Sequence, residues 1–121
     1  MILVDTSIWI DHLRSGDIRL ADLLDRSQVL AHPFVIGELA CGNLRNRDEI
    51  LKLLNHLPQS PVASPTEALN FIERHQLMGL GVGYIDIHLL AATALAENAM
   101  LWTGDKRLQK VASTMKLAFN E

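Results

Sequence analysis

The sequence predicts an α/β domain with a central parallel sheet and helices on both faces. Three observations carry that prediction. Short apolar runs recur along the chain, helix-period segments separate them, and capping residues or proline stand at the junctions. The chain has 121 residues, 49% hydrophobic and 21% charged, the balance of an ordinary globular protein. That length predicts a single domain over 1–121. With aromatics at 5%, Leu, Ile, Val and Ala must fill the core.

The elements follow in order. Met1–Val4 is an apolar strand, and Asp5-Thr6-Ser7 turns it into a helix through Ile8, Trp9, Ile10 and Leu13, stopped at Ser15-Gly16. Asp17 caps a second helix, Ile18 to about Asp25. Gln28–Ala31 is the next strand. His32-Pro33 opens a helix holding Phe34 to Cys41, since proline suits the first helical position. A helix beginning at Asp48 runs to Leu57 and is closed by Pro58. Pro61-Val62-Ala63 reads as a minimal strand, and Ser64-Pro65-Thr66-Glu67 as a capping box whose helix ends near Gly79. Gly79 to Gly83 is a loop. Tyr84-Ile85-Asp86 leads a strongly apolar helix to Glu97-Asn98. Met100–Thr103 is a strand, Gly104-Asp105 a turn, Lys106 to about Ser113 a helix, and Leu117-Ala118-Phe119 a last strand.

Composition excludes several classes. Eleven Lys+Arg against 14 Asp+Glu give a net charge of -3, which argues against a protein that coats nucleic acid by charge alone. The single cysteine, Cys41, rules out an intramolecular disulfide and Cys-rich zinc sites, and fits a reducing cytoplasm. The first residues lack the basic region of a signal peptide. No apolar run approaches the roughly 20 residues that span a bilayer.

Four acids stand apart. Asp5 ends the first strand and Asp105 follows the Trp102 strand, and ligands of open α/β sheets bind beyond the carboxyl ends of strands. Glu38 lies inside the apolar stretch Phe34–Cys41, and Asp86 opens the most apolar helix. Both are expected to be partly buried, where carboxylates need a partner or a cation. Asp5, Glu38 and Asp86 have no nearby basic residue in sequence. Four converging carboxylates repel one another unless a cation neutralises them, and all-oxygen ligands suit Mg²⁺ or Mn²⁺. Each acid also has an ordinary reading: Asp5 and Asp105 as helix caps, Glu38 as a solvated side chain, Asp86 as a charge favoured at a helix N-terminus.

The joint pattern resembles the PIN-domain ribonucleases. It rests on Asp5-Thr6-Ser7 after a short strand, Glu38 in Gly37-Glu38-Leu39, Asp86 before Leu89-Leu90-Ala91-Ala92, and Thr103-Gly104-Asp105 after a strand. Within that family the chain looks most like the VapC toxins of bacterial toxin–antitoxin pairs. The resemblance covers Met1 to about Ala118. It implies an αβα sandwich and Mg²⁺- or Mn²⁺-dependent endonuclease activity on RNA. Asp5, Glu38, Asp86 and Asp105 would be the metal-binding catalytic acids, supported by Thr6 or Ser7 and by Thr103. It also implies a homodimer and a cognate antitoxin that blocks the site; surplus apolar residues in the first two helices and the Asp48 helix suit such contacts. Some PIN nucleases carry a further acid shortly after the one matching Asp105. Here Lys106, Arg107 and Leu108 stand there, so a fully occupied two-metal site lacks that ligand.

Arg14, Lys106, Arg107 and Lys110 are candidates for RNA phosphates, with solvated surface charge as the alternative. Trp9 and Trp102 are expected in the core, and Cys41 as a buried small hydrophobe. Two rival functions are a phosphatase of the haloacid-dehalogenase type, which needs a second Asp where Ser7 stands, and a catalytically silent RNA- or protein-binding module.

Overall fold

The computed structural model describes residues 1–120. Three short strands form a parallel sheet in the order β2-β1-β3: β1 (Ile2–Val4), β2 (Val29–Leu30) and β3 (Met100–Trp102). Single parallel bridges lengthen it at both edges, Ala31 with Gln59 and Leu101 with Ala118. The chain leaves β1 towards β2 and Gln59, then crosses back to β3 and moves out to Ala118. The junction of β1 and β3 is therefore the point where strand order reverses.

Parallel neighbours need crossover connections, which helices supply. They are α1 (Thr6–Ser15), α2 (Ile18–Asp25), α3 (Pro33–Ala40), α4 (Arg47–His56), α5 (Pro65–His75), α6 (Tyr84–Leu95) and α7 (Lys106–Thr114). Right-handed crossovers running one way from β1 and then the other place helices on opposite faces. The helices accordingly pack as α1 with α3, α3 with α4, and α5 with α6. Leu3, Val4, Leu89, Leu90, Leu101 and Leu108 are fully buried between these layers. Trp9 and Trp102 lie in the core as expected.

Local chemistry explains most boundaries. Asp17 caps α2 through Arg19 N (2.9 Å), and the Arg19 guanidinium holds its carboxyl below the usual carboxylate range. The Ser64–Glu67 capping box forms in both directions, at 3.1 and 2.8 Å. Three expectations need correction. The edge strand pairs at Pro58–Ser60, not at Pro61–Ala63: Ala31 N donates to Pro58 O and Ser60 N to Ala31 O, whereas Pro61 has no N–H to offer. Helix α5 stops at His75, because Gln76 turns left-handed (φ 55°) well before Gly79. Cys41 is exposed, since it follows the last turn of α3 instead of facing the core. Among the described residues no helix is long and apolar enough to cross a membrane.

Candidate active site

Strand β1 delivers Asp5 to the β1/β3 junction. Its backbone N–H donates to Trp102 O (2.9 Å), continuing the ladder one residue past the strand. The side chain, 7% exposed, is held by three donors. Thr6 N reaches Oδ1 at 2.7 Å, capping α1; Thr103 Oγ1 reaches Oδ2 at 2.7 Å and Ser7 Oγ reaches Oδ2 at 3.3 Å. Thr103 is buried at the end of β3, so its hydroxyl joins the two strands directly across the switch point.

The same hydroxyl accepts from Asp105 N (3.1 Å), and Asp105 Oδ1 caps α7 by taking Arg107 N (2.9 Å) and Leu108 N (3.0 Å). Ser7 Oγ accepts from Gly104 N at 3.1 Å, closing a second link between the α1 and α7 starts. Position 7 therefore presents a structural hydroxyl, not the second carboxylate that a haloacid-dehalogenase-type phosphatase uses.

Helix α3 brings Glu38. Thr6 Oγ1 donates to Glu38 Oε1 at 2.7 Å, across the α1–α3 packing. Glu38 is exposed, not partly buried. The α3 core face is Val35 and Leu39, which leaves Glu38 on the flank turned to the site. Helix α6 brings Asp86, half-buried in its first turn, with Oδ2 taking Gly83 N at 3.4 Å. Burial raises the Asp86 pKa, opposed by the Gly83 N–H and reinforced by the charges of Asp5, Asp105 and Glu38. Asp5, Asp105 and Glu38 thus each raise the cost of charging Asp86.

Aromatic packing ties α3 and α6 together. His32 caps α3 by accepting Phe34 N at Nδ1 (3.0 Å). Phe34 stacks edge-on between His32 (5.1 Å) and His88 (4.8 Å), and His88 meets Tyr84 at 4.6 Å. Burial, and then the neighbouring His88, push His32 down to about 4; burial lowers His88 too. Burial favours the neutral form of both rings, and the contact packs together the helices that carry Glu38 and Asp86. The sequence signal was a histidine directly before the first-turn proline.

The ion pairs among the described residues, Arg19–Asp17 (3.1 Å) and Arg26–Asp22 (2.7 Å), involve none of the four acids. Their partners are hydroxyls and backbone N–H groups, which leave the negative charges uncompensated. That donor chemistry fits a hard divalent cation. Among the described residues no three His, Cys, Asp or Glu side chains already close into a metal cage. Mg²⁺ does not require one, since it keeps several waters and takes one or two carboxylates plus substrate phosphate.

The basic candidates divide. Lys106 and Arg107 lie in the first turn of α7 beside Asp105, and Lys110 one turn on. Arg14 lies in the last turn of α1, about 12 Å along the axis from Thr6 at 1.5 Å per residue. The structure does not bring it to the acids' end of that helix.

Asp5 and Asp105 lie beyond the carboxyl ends of β1 and β3, where the strand order reverses, and Glu38 and Asp86 are carried there on α3 and α6 within reach of their charge. The PIN domain profile matches residues 2–113, and the chain belongs to the PIN-domain family. Within it, the chain is 46% identical over 121 residues to Ribonuclease VapC32 of Mycobacterium tuberculosis, from both strain CDC 1551 / Oshkosh and strain ATCC 25618 / H37Rv. That alignment covers all of this chain and 98% of each relative. The likeness places it with the VapC members of the family.

Proposed function

We propose that the protein is a metal-dependent endoribonuclease, the toxin of a toxin–antitoxin pair, with Asp5, Glu38, Asp86 and Asp105 as its catalytic acids. The observation that carries this reading is the hydroxyl chain that gathers the acids, Thr6 Oγ1 to Glu38 and Thr103 Oγ1 between Asp5 Oδ2 and Asp105 N, with no cationic partner for any of the four among the described ion pairs. Full-length likeness to a ribonuclease supports RNA as the substrate.

Asp5, Asp86, Glu38 and Asp105 would hold Mg²⁺ or Mn²⁺. When bound, such an ion lowers the pKa of a water and offsets charge on the scissile phosphate. The chain's own groups set the geometry. Thr103, Ser7 and Thr6 N fix both Asp5 oxygens, and Thr6 Oγ1 fixes Glu38. Asp105 is fixed by its cap bonds to α7. Burial and three like charges raise the pKa of the half-buried Asp86, a cost that a bound cation would offset.

A cognate antitoxin and a second copy of the chain are the proposed partners. Exposed Ile10, Ile18 and Leu53, on α1, α2 and α4, supply apolar surface for them. Light scattering on purified protein should give a dimer at micromolar concentration; a monomer alone removes that partner.

The test of the activity is cleavage of total RNA by antitoxin-free protein with Mg²⁺, Mn²⁺ or EDTA, beside Asp86→Asn. Metal-dependent internal cuts lost in the variant are expected. Cuts that survive EDTA and the substitution would remove the four-acid site, and RNA retention without cutting under any metal would favour the silent binding module.

A further inference from the structure

A groove of about 670 Å³ runs along α7, walled by the end of α5 and the loop after it, and none of the four acids lines it. Its floor is apolar: Leu77 and Val111 are buried, Met115 half-buried, and Leu80 46% exposed at the lip. Its rim is cationic, with Arg107 and Lys110 one turn apart and no carboxylate among its lining residues. In a chain of net charge -3, that sign is a local departure from the whole.

The groove starts where the acids end. Arg107 N is bonded to Asp105 Oδ1 at 2.9 Å, so the first rim residue is fixed to a catalytic carboxylate. The Arg107 side chain lies along Gly81, in the loop that leads to Asp86. A methyl group on Gly81 would stand 2.8 Å from Arg107 Cδ and 2.9 Å from Nη1, and Gly81 has φ +77°. That backbone favours glycine, and a larger residue would push the Arg107 side chain from its place. From Arg107 to Met115 the groove extends about 12 Å along the helix axis.

We propose that this groove is the subsite for the RNA nucleotide beside the scissile phosphate, and that it sets where the RNA is cut. The base packs against Leu77, Leu80, Val111 and Met115, and its phosphate lies on Arg107 and Lys110. The inference rests on the nuclease reading above for the position of the scissile phosphate. A pocket of a few hundred Å³ with an apolar body and few polar groups suits a ligand of this size. The cationic rim, continuous with the acids, favours a polyanion that passes through both over an apolar peptide helix.

The test uses Lys110→Glu and Leu80→Trp, both at exposed positions, in two assays. Binding is read by fluorescence anisotropy of labelled single-stranded RNA on full-length protein carrying Asp86→Asn, across a salt series. Cutting is read with Asp86 intact, as KM, kcat and the sequence at cut ends in an RNA pool. Lys110→Glu should weaken binding about tenfold at low salt and flatten the log–log salt slope by roughly 0.7, the loss of one phosphate contact to a single strand. Its loss of cleavage should fall on KM more than kcat. Leu80→Trp, which fills the lip, should change the base preference next to the cut. Unchanged binding and unchanged cut ends in both variants would overturn the subsite. So would variants that bind and cut like the parent but escape inhibition by the antitoxin, which would make the groove a protein-docking face. Failure of the parent to cut, with the binding losses intact, would overturn the nuclease reading and leave the groove as an RNA site.

Discussion

Replacing Thr103 with valine removes one hydroxyl of almost unchanged shape. That hydroxyl donates to Asp5 Oδ2 at 2.7 Å and accepts from Asp105 N at 3.1 Å, and its residue is 7% exposed. A hydrogen bond to a charged, desolvated group contributes about 1.5–3 kcal/mol, and here no solvent is at hand to replace it. An unfolding entropy of about 2.1 cal/mol/K per residue, over 121 residues, makes each kcal/mol about 4 °C of melting temperature. Thr103→Val should therefore melt about 6–12 °C below the parent in EDTA. Thr103→Ser keeps the hydroxyl and should recover most of that. Cleavage should fall at least ~10-fold in Thr103→Val, about 1.4 kcal/mol of barrier, because the Asp5 carboxylate loses the hydroxyl that fixes its Oδ2. Thermal melts by circular dichroism and initial rates on one RNA check both. A valine variant that melts with the parent and cuts at its rate would refute the idea that this hydroxyl organises the two strand-end acids.

Other outcomes follow from the same geometry. Asp86→Asn should abolish cleavage yet stabilise the metal-free protein at pH 7. The folded state raises the Asp86 pKa, so the parent loses stability as pH climbs from the ordinary carboxylate value through the raised one, and the two proteins should converge at low pH. Adding Mg²⁺ should raise the melting temperature of the parent and leave the variant nearly unmoved. His32 titrates at about 4 against an ordinary 6.5, so stability present above pH 6.5 should drain away as pH falls towards 4; ring-proton NMR should show a neutral imidazole until then. Ser64→Ala, away from the site, should cost about 1 kcal/mol through the lost capping box and leave cleavage intact. Thr6→Val should lower cleavage with little change in melting, because the Glu38 it positions is exposed.

The parts of the fold legible in the sequence are those set by local chemistry. Asp17 and the Ser64-Pro65 box mark helix starts because their side chains bond their own backbone. The apolar run at Met1–Val4 and its Asp5 stop mark a strand end for the same reason. The edge pairing at Gln59 was not legible, because it depends on which backbone N–H groups meet Ala31, and nothing in the side chains of Pro58–Ser60 announces that. The apolar neighbours of Glu38 in sequence suggest partial burial, and its ordinary reading as a solvated helix residue is the one that describes its exposure. A helix turns successive residues to different sides, and only the packing of α3 on α1 and α4 decides which side is wet. The order of the four acids could be read, but the hydroxyl bridge from Thr103 to Asp5 spans 98 positions and has no sequence pattern. The groove along α7 was half visible, as a basic segment; its apolar floor is assembled from α5 and the loop to Gly81 as well.

Asp5 caps α1 and Asp105 caps α7 with the same side chains that serve the site. A cell under selection to escape this enzyme therefore does not find all inactivating alleles equivalent. Asn or Ser at either position keeps an oxygen for the cap, and such alleles should persist as abundant, folded, silent protein. Most other replacements remove a cap as well as a carboxylate and should leave the cell through degradation of an unstable chain. The spectrum of surviving alleles would record the two duties of each residue separately, with the full-length silent class concentrated in a few codons.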